Sequence, residues 1–281
     1  MSSPSFTELL RDRWSRGDSL LCVGLDPDVA RLPAAVGSGP RAMLAFCKAI
    51  VDATADLVCA FKPQIAYFAA AGREAELAEL IAYIRARYPD VPVILDAKRG
   101  DIGDTARLYA IEAFERFGAH AVTVNPYLGR ESVEPFLAWS DRGVVLLCRT
   151  SNPGSGWLQT YPAEAPLYLR VAEAAVEWNT HGNVMLVAGA TYPEDLRCIR
   201  ATIGDMPMLV PGIGVQGGDL AAVLTNGADR QGRGLVINAS RAVLYAGSGP
   251  DFAAAARQAA IDLRDQIRDR QHALPGALGG H

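Results

Sequence analysis

Eight short apolar runs recur along this chain. Each is followed by turn residues and then by a helix-like stretch. They are Leu20–Leu25, Leu57–Phe61, Val91–Leu95, Ala121–Val124, Val144–Cys148, Val184–Ala188, Met208–Val210 and Gly234–Ile237. The runs are continuous and do not alternate with polar residues. A strand with one wet face alternates, whereas a strand buried on both faces in a parallel sheet does not. Helical patterns fill the gaps at Arg41–Ala55, Glu74–Arg87, Thr105–Phe117 and Ala165–Trp178, and Asp251–Arg268 supplies a last helix. Eight strand–helix units predict an α/β fold of the (β/α)8 TIM-barrel type. A doubly wound open sheet is the competing architecture.

No shift of composition marks a second domain. The expectation is one domain over 1–281, with the barrel at about 18–270 and a Gly- and Ala-rich tail, 274–281, that frays. Met1–Arg16 is polar and charged, unlike a secretory leader. No apolar run reaches the roughly 18 residues of a membrane span. A formal net charge of −4 offers no electrostatic case for nucleic acid, so an anionic ligand must be held by local groups. The five cysteines lack metal-type spacing, and Cys22, Cys59 and Cys148 lie inside apolar runs. They read as small core residues of a protein kept in a reducing cytoplasm.

A parallel barrel points the carboxyl ends of its strands at one cavity. Here those ends carry charge: Asp26 after the first run, Lys62 after the second, Asp96 and Lys98 at the third. Asp101 and Thr105 follow in the next turn. Side chains two apart on a strand point the same way, so Asp96 and Lys98 should share a face. Setting carboxylates beside ammonium groups costs desolvation, and a chain that concentrates them at the mouth of a sheet uses their field. After the fifth run, Ser151–Ala165 has no strand pattern and holds Pro and Gly near its start, as expected of a loop that covers a site.

A second signal lies after the seventh run. Gly212-Ile213-Gly214-Val215-Gln216-Gly217 matches G-x-G-x-x-G, a weak dinucleotide signature when read alone. It follows the seventh strand and not the first. In a barrel, glycine-rich backbone after strands seven and eight commonly binds phosphate. Arg241, beyond the eighth run, would add a charge-assisted clamp. The four histidines carry no catalytic pattern: His120 and His181 sit near strand starts, and His272 and His281 in the tail.

The motif D-x-K-R-G-D-I-G-x-T at Asp96–Thr105, with Lys62 in Phe61-Lys62-Pro63-Gln64, resembles the orotidine 5'-phosphate decarboxylase family. Arg99-Gly100, Asn125–Gly129 and Cys148–Ser155 are similar to its second bacterial subgroup (type 2), and the resemblance spans Leu25 to about Tyr245. It implies conversion of orotidine 5'-monophosphate to uridine 5'-monophosphate and carbon dioxide, the last step of uridylate synthesis. It also implies that the reaction needs no metal or cofactor and that the enzyme is a homodimer. Position by position, it implies a charged array of Lys62, Asp96, Lys98 and Asp101. Asp101 would enter from the partner subunit, and Lys98 would protonate C6. Asp26, Lys62 and Thr105 match ribose contacts, Thr150 and Ser151 a pyrimidine contact, and Gly214, Gln216 and Arg241 the phosphate end.

Three alternatives stay open. A sugar-phosphate barrel enzyme with a similar D-x-K-x-x-D pattern would use magnesium, which prefers oxygen ligands. Here lysines stand where further acids would help. A Schiff-base aldolase would use Lys62 or Lys98 as nucleophile, but flanking aspartates would keep either one protonated. A nucleotide-binding protein without activity fits an intact charged array poorly.

Overall fold

The structure, a computed structural model, describes residues 4–213 and 219–274. Eight strands form one parallel sheet: β1 (Leu21–Leu25), β2 (Ala60–Pro63), β3 (Ile94–Arg99), β4 (Ala121–Val124), β5 (Gly143–Arg149), β6 (Val184–Ala188), β7 (Met208–Pro211) and β8 (Leu235–Ala239). Their spatial order is β2-β1-β8-β7-β6-β5-β4-β3. Parallel bridges Phe61–Val93 and Gln64–Asp96 join the two ends, so the sheet closes on itself as a TIM barrel. Helices follow the strands and cover the outside. Most strand residues are fully buried, as continuous apolar runs require.

The second strand begins later than its apolar run. The carbonyls of Leu57 and Val58 are taken by side chains: Ser19 Oγ donates to Leu57, and Arg13 Nε donates to Val58 at 2.9 Å. A backbone so engaged forms a turn, and the strand carries Lys62 and Pro63 instead. The third strand likewise runs on through Asp96, Ala97, Lys98 and Arg99.

The polar N-terminal segment is a helix, Phe6–Arg16, opened by a capping box in which Ser5 and Glu8 bond each other's backbone N–H. Its Phe6, Leu9, Leu10 and Trp14 are buried at the amino ends of the strands. Phe6 packs where a β-carbon at Gly143 would stand 2.3 Å from its ring, so only glycine admits it there. The pattern Thr105–Phe117 becomes an α-helix, Gly103–Ile111, followed by a wider π-turn, Glu112–Arg116. Four of the five cysteines are buried, Cys198 is half-buried, and all are free thiols. No helix among the described residues is long and apolar enough to cross a membrane.

Candidate active site

The charged residues converge through a defect in the sheet. Between Leu95–Val122 and Arg99–Val124, three residues of β3 (Asp96, Ala97 and Lys98) stand opposite one residue of β4, Thr123. Such a bulge bends the strand and re-aims its side chains. Lys98 sits at φ +47°, a left-handed conformation that lysine rarely adopts. Strain of this kind costs about 1–3 kcal/mol and clusters at functional sites. Asp96 and Lys98 do meet, but through this kink and not through the regular pleat of a strand.

Asp96 is the hub. Its Oδ1 accepts from Lys98 Nζ at 2.6 Å and from Thr123 Oγ1 at 3.0 Å. Its Oδ2 accepts from Lys62 Nζ at 2.9 Å. Asp96 and Lys62 are buried, whereas the Lys98 side chain is 49% exposed. Burial by itself would raise the Asp96 pKa, but the two lysines outweigh it and hold the carboxyl well below the usual carboxylate range. For Lys62, burial opposes the charge, yet Asp96 and then Asp26 push its pKa above the ordinary lysine value. Both groups are therefore charged at neutral pH.

Lys62 also lines a cavity of about 210 Å³ with Asp26, Ser151, Gly212, Asn238 and Arg241. Asp26 Oδ1 is buried there with no hydrogen-bond partner among the described residues. Gly24 on β1 lets the end of β8 come close, because a β-carbon on it would stand 1.9 Å from Ser240 Oγ. Arg241 opens the short helix after β8 and is exposed. A larger groove, about 1220 Å³, lies between the loop after β1 and the helix Ile65–Ala70 and shares no lining residue with this cavity.

The loop after β5 is tied down from below. Arg149 is buried, pairs with Asp195 at 2.7 Å, stacks 3.6 Å over the Tyr192 ring and donates to Ser155 Oγ. Gln159 brackets Thr150, accepting from its N–H at 2.9 Å and donating to its hydroxyl at 2.9 Å. Thr150 Oγ1 also donates to Asn152 Oδ1 at 2.7 Å, and the next residue, Ser151, lines the cavity.

The remaining residues expected at the site are Asp101, Thr105, Gly214 and Gln216. Asp101 accepts from the Ile102 N–H at 2.8 Å, and no lysine pairs with it within this chain among the described residues. Thr105 is exposed in the first turn of the helix Gly103–Ile111 that follows, and Ile102, which precedes that helix, is exposed too. Gly214 and Gln216 lie outside the described residues.

Thr123 and Arg149 belong to this machinery and escape a reading by charged motifs. Thr123 sits in an apolar run, and its one signal is a hydroxyl in an otherwise aliphatic strand. Arg149 follows the fifth run, where a solvated charge is the ordinary reading.

Comparison with known proteins agrees with this geometry. A family profile described as "Orotidine 5'-phosphate decarboxylase / HUMPS family" matches residues 19–259. A protein of Azoarcus sp. (strain BH72), orotidine 5'-phosphate decarboxylase, is 61% identical over 264 residues, covering 93% of this chain and 98% of that protein. The protein of that name from Aromatoleum aromaticum is 59% identical over 265 residues, covering 93% and 98%. Among solved structures, Leishmania donovani OMP decarboxylase superposes with a TM-score of 0.82 at 42% identity, over 95% of this chain and 99% of its own. Leishmania donovani UMP synthase superposes with a TM-score of 0.85 at 42% identity, over 96% of this chain and 57% of the longer protein. A closed eight-stranded barrel, a lysine–aspartate–lysine array at its carboxyl end and a match over most of its length place this chain in the orotidine 5'-phosphate decarboxylase / HUMPS family.

Proposed function

We infer that this protein is an orotidine 5'-phosphate decarboxylase, converting orotidine 5'-monophosphate to uridine 5'-monophosphate and carbon dioxide in pyrimidine biosynthesis. The observation that carries the reading is the Asp96 carboxylate, bonded at both oxygens by ammonium groups beside a cavity that reaches Arg241. Relatives of that name reach 61% identity to this chain over nearly their whole length.

The reaction breaks the bond between C6 and the carboxylate and leaves the electron pair on C6. The ring delocalises that pair poorly, so catalysis must stabilise charge at C6 in the transition state. The Lys98 ammonium answers this need and then donates its proton to C6. Its exposure lets solvent restore the proton. Asp96 holds the Lys98 side chain oriented, its Oδ1 accepting from Nζ at 2.6 Å. Repulsion of the substrate carboxylate by Asp96 is a second, contested contribution.

Asp26, whose Oδ1 has no partner among the described residues, fits a ribose hydroxyl together with Lys62. Ser151 lines the pyrimidine side, on a loop whose closure phosphate binding would favour. Arg241, with the segment holding Gly214 and Gln216, takes the phosphate. No step calls for a cofactor.

Asp101 completes a site in the partner subunit of a homodimer, and Thr105 reaches a ribose hydroxyl. Ile102, between them, is exposed, and Leu108, Tyr127 and Leu128 are further exposed hydrophobics in the segments after β3 and β4. Buried free thiols and a diffusible nucleotide substrate suit the cytoplasm.

The family also includes the HUMPS branch, for which sugar phosphates and magnesium are the alternative. Both Asp96 oxygens are held by lysines, which favours the cofactor-free chemistry. The test is the ultraviolet absorbance change of orotidine 5'-monophosphate with the purified protein and a chelator. Conversion that ignores the chelator supports the assignment. Binding of uridine 5'-monophosphate without turnover would point to a binding protein. Neither turnover nor binding would send the search to sugar phosphates with magnesium.

A further inference from the structure

We propose that Thr123 is a positioning residue for proton transfer: its single hydroxyl holds Lys98 in its kinked backbone and locks Asp96 against the Lys98 ammonium. This role rests on the reading of Lys98 as proton donor.

The bulge leaves the N–H groups of Ala97 and Lys98 out of the backbone pairing register with β4, and N–H groups turned from water need other acceptors. Thr123 Oγ1 takes both, at 2.9 Å and 2.8 Å. A hydroxyl has two lone pairs and one proton. With both lone pairs engaged, the proton is directed to Asp96 Oδ1 at 3.0 Å. That same oxygen meets Lys98 Nζ at 2.6 Å. One side chain thus sets both ends of the lysine–aspartate pair: the backbone from which Lys98 departs and the carboxylate against which it rests. Thr123 is 1% exposed on β4, and its β-branch restricts χ1, so the hydroxyl cannot swing away.

The test compares Thr123→Val, which keeps the shape and removes the hydroxyl, with Thr123→Ser, which keeps the hydroxyl. Three readouts are taken: kcat and KM for orotidine 5'-monophosphate, the affinity for uridine 5'-monophosphate, and the exchange of the C6 hydrogen of that product in D2O by NMR. The exchange runs the proton step in reverse, with the C6–H proton passing to Lys98 and a deuteron returning, and it needs no decarboxylation.

Thr123→Val is expected to lower kcat and C6 exchange together by about 100-fold, the scale of a misplacement near 1 Å. Product affinity should change by no more than about threefold, as for sites away from a contact. Thr123→Ser is expected to recover most of both rates. If Thr123→Val fails to fold, Thr123→Ala takes its place with the same expectations.

Full C6 exchange in the variant lacking the hydroxyl overturns the proposal. So does a loss of product affinity as large as the loss of rate, or a Thr123→Ser variant as impaired as the valine one. Lys98→Ala is measured alongside. Normal exchange in that variant would overturn the proton-donor reading itself, a result distinguishable from failure at Thr123.

Discussion

Gly189 and Ser151 are in direct backbone contact: a β-carbon built on Gly189 would stand 2.7 Å from both Cα and N of Ser151. Gly189 N–H also donates to the Arg149 carbonyl at 2.7 Å, and Thr191 Oγ1 to that of Ser151 at 3.1 Å. The turn after β6 is therefore the floor on which the cavity-lining Ser151 rests. Gly189→Ala must lift that residue. Because positioning is lost and the charged array stays intact, kcat/KM should fall by about 10- to 100-fold. Steady-state kinetics, with circular dichroism to confirm folding, check this. Unchanged kcat/KM would mean that Ser151 does not contact the substrate.

Lys98→Ala removes the proton donor and leaves Asp96 bonded to Lys62 and Thr123. Turnover should fall at least about 10⁴-fold, the upper range for loss of a general acid. Binding of uridine 5'-monophosphate should survive, and calorimetry reads it directly. Normal turnover in this variant would remove Lys98 from the chemistry.

Arg241 lines the same cavity as Lys62, and among the described residues neither it nor Asp96 forms an ion pair with the other. Arg241→Ala should raise KM, since a lost charge-assisted bond to an anion costs about 1.5–3 kcal/mol. The free nucleoside, which lacks phosphate, should be handled equally by both proteins. A variant that loses as much rate on the nucleoside as on the nucleotide would place Arg241 elsewhere in the mechanism.

A shared site predicts complementation. Lys98→Ala and Asp101→Ala are each inactive as homodimers if Asp101 serves the partner. Mixed and reassorted at random, they form heterodimers in which one site is wild type, so about a quarter of the activity should return. No recovery, with exchange of subunits verified by mass spectrometry, would place Asp101 outside the partner's site.

Acid stability should be governed by His120 before Asp96. His120 Nδ1 accepts from the Val93 N–H at 3.0 Å, which requires a neutral ring. Burial, reinforced by Arg85 and Arg142, lowers its pKa to about 4. A histidine depressed on folding stabilises fully above its unfolded value near 6.5 and loses that contribution as pH falls towards 4. The loss is on the order of 3 kcal/mol. Asp96, also depressed, loses its contribution only as pH falls below its ordinary value near 3.8. Lys62, raised, loses its own only as pH climbs above its ordinary value near 10.5. Denaturant titrations between pH 7 and 4 should therefore show a decline that His120→Gln flattens. An equal slope in the variant would assign the acid limb to other groups.

Much of the barrel was legible in the chain. Continuous apolar runs identify strands buried on both faces, because a wet face needs polar residues at every second position. Their number and spacing, with helices between, imply closure. Lys62, Asp96 and Lys98 are legible because strand ends of a barrel face one cavity. The Phe6–Arg16 helix is less so: its apolar residues are diluted by charges on the solvent side, and its start is marked only by the Ser5–Glu8 box.

What the sequence determined by itself is the eightfold alternation and the identity of the charged groups, since both follow from local pattern. What tertiary structure alone decided is how those groups meet. The alternation of a regular strand would place Asp96 and Lys98 side by side with no strain. Instead β3 bulges against β4, Lys98 turns left-handed, and a hydroxyl from a neighbouring strand binds the kink. The same holds for Ser151, whose place depends on a glycine 38 residues further along the chain, and for Arg149, whose charge is spent on Asp195. Pairings across strands depend on register and close approach, and these are properties of the closed barrel that no local run of residues contains.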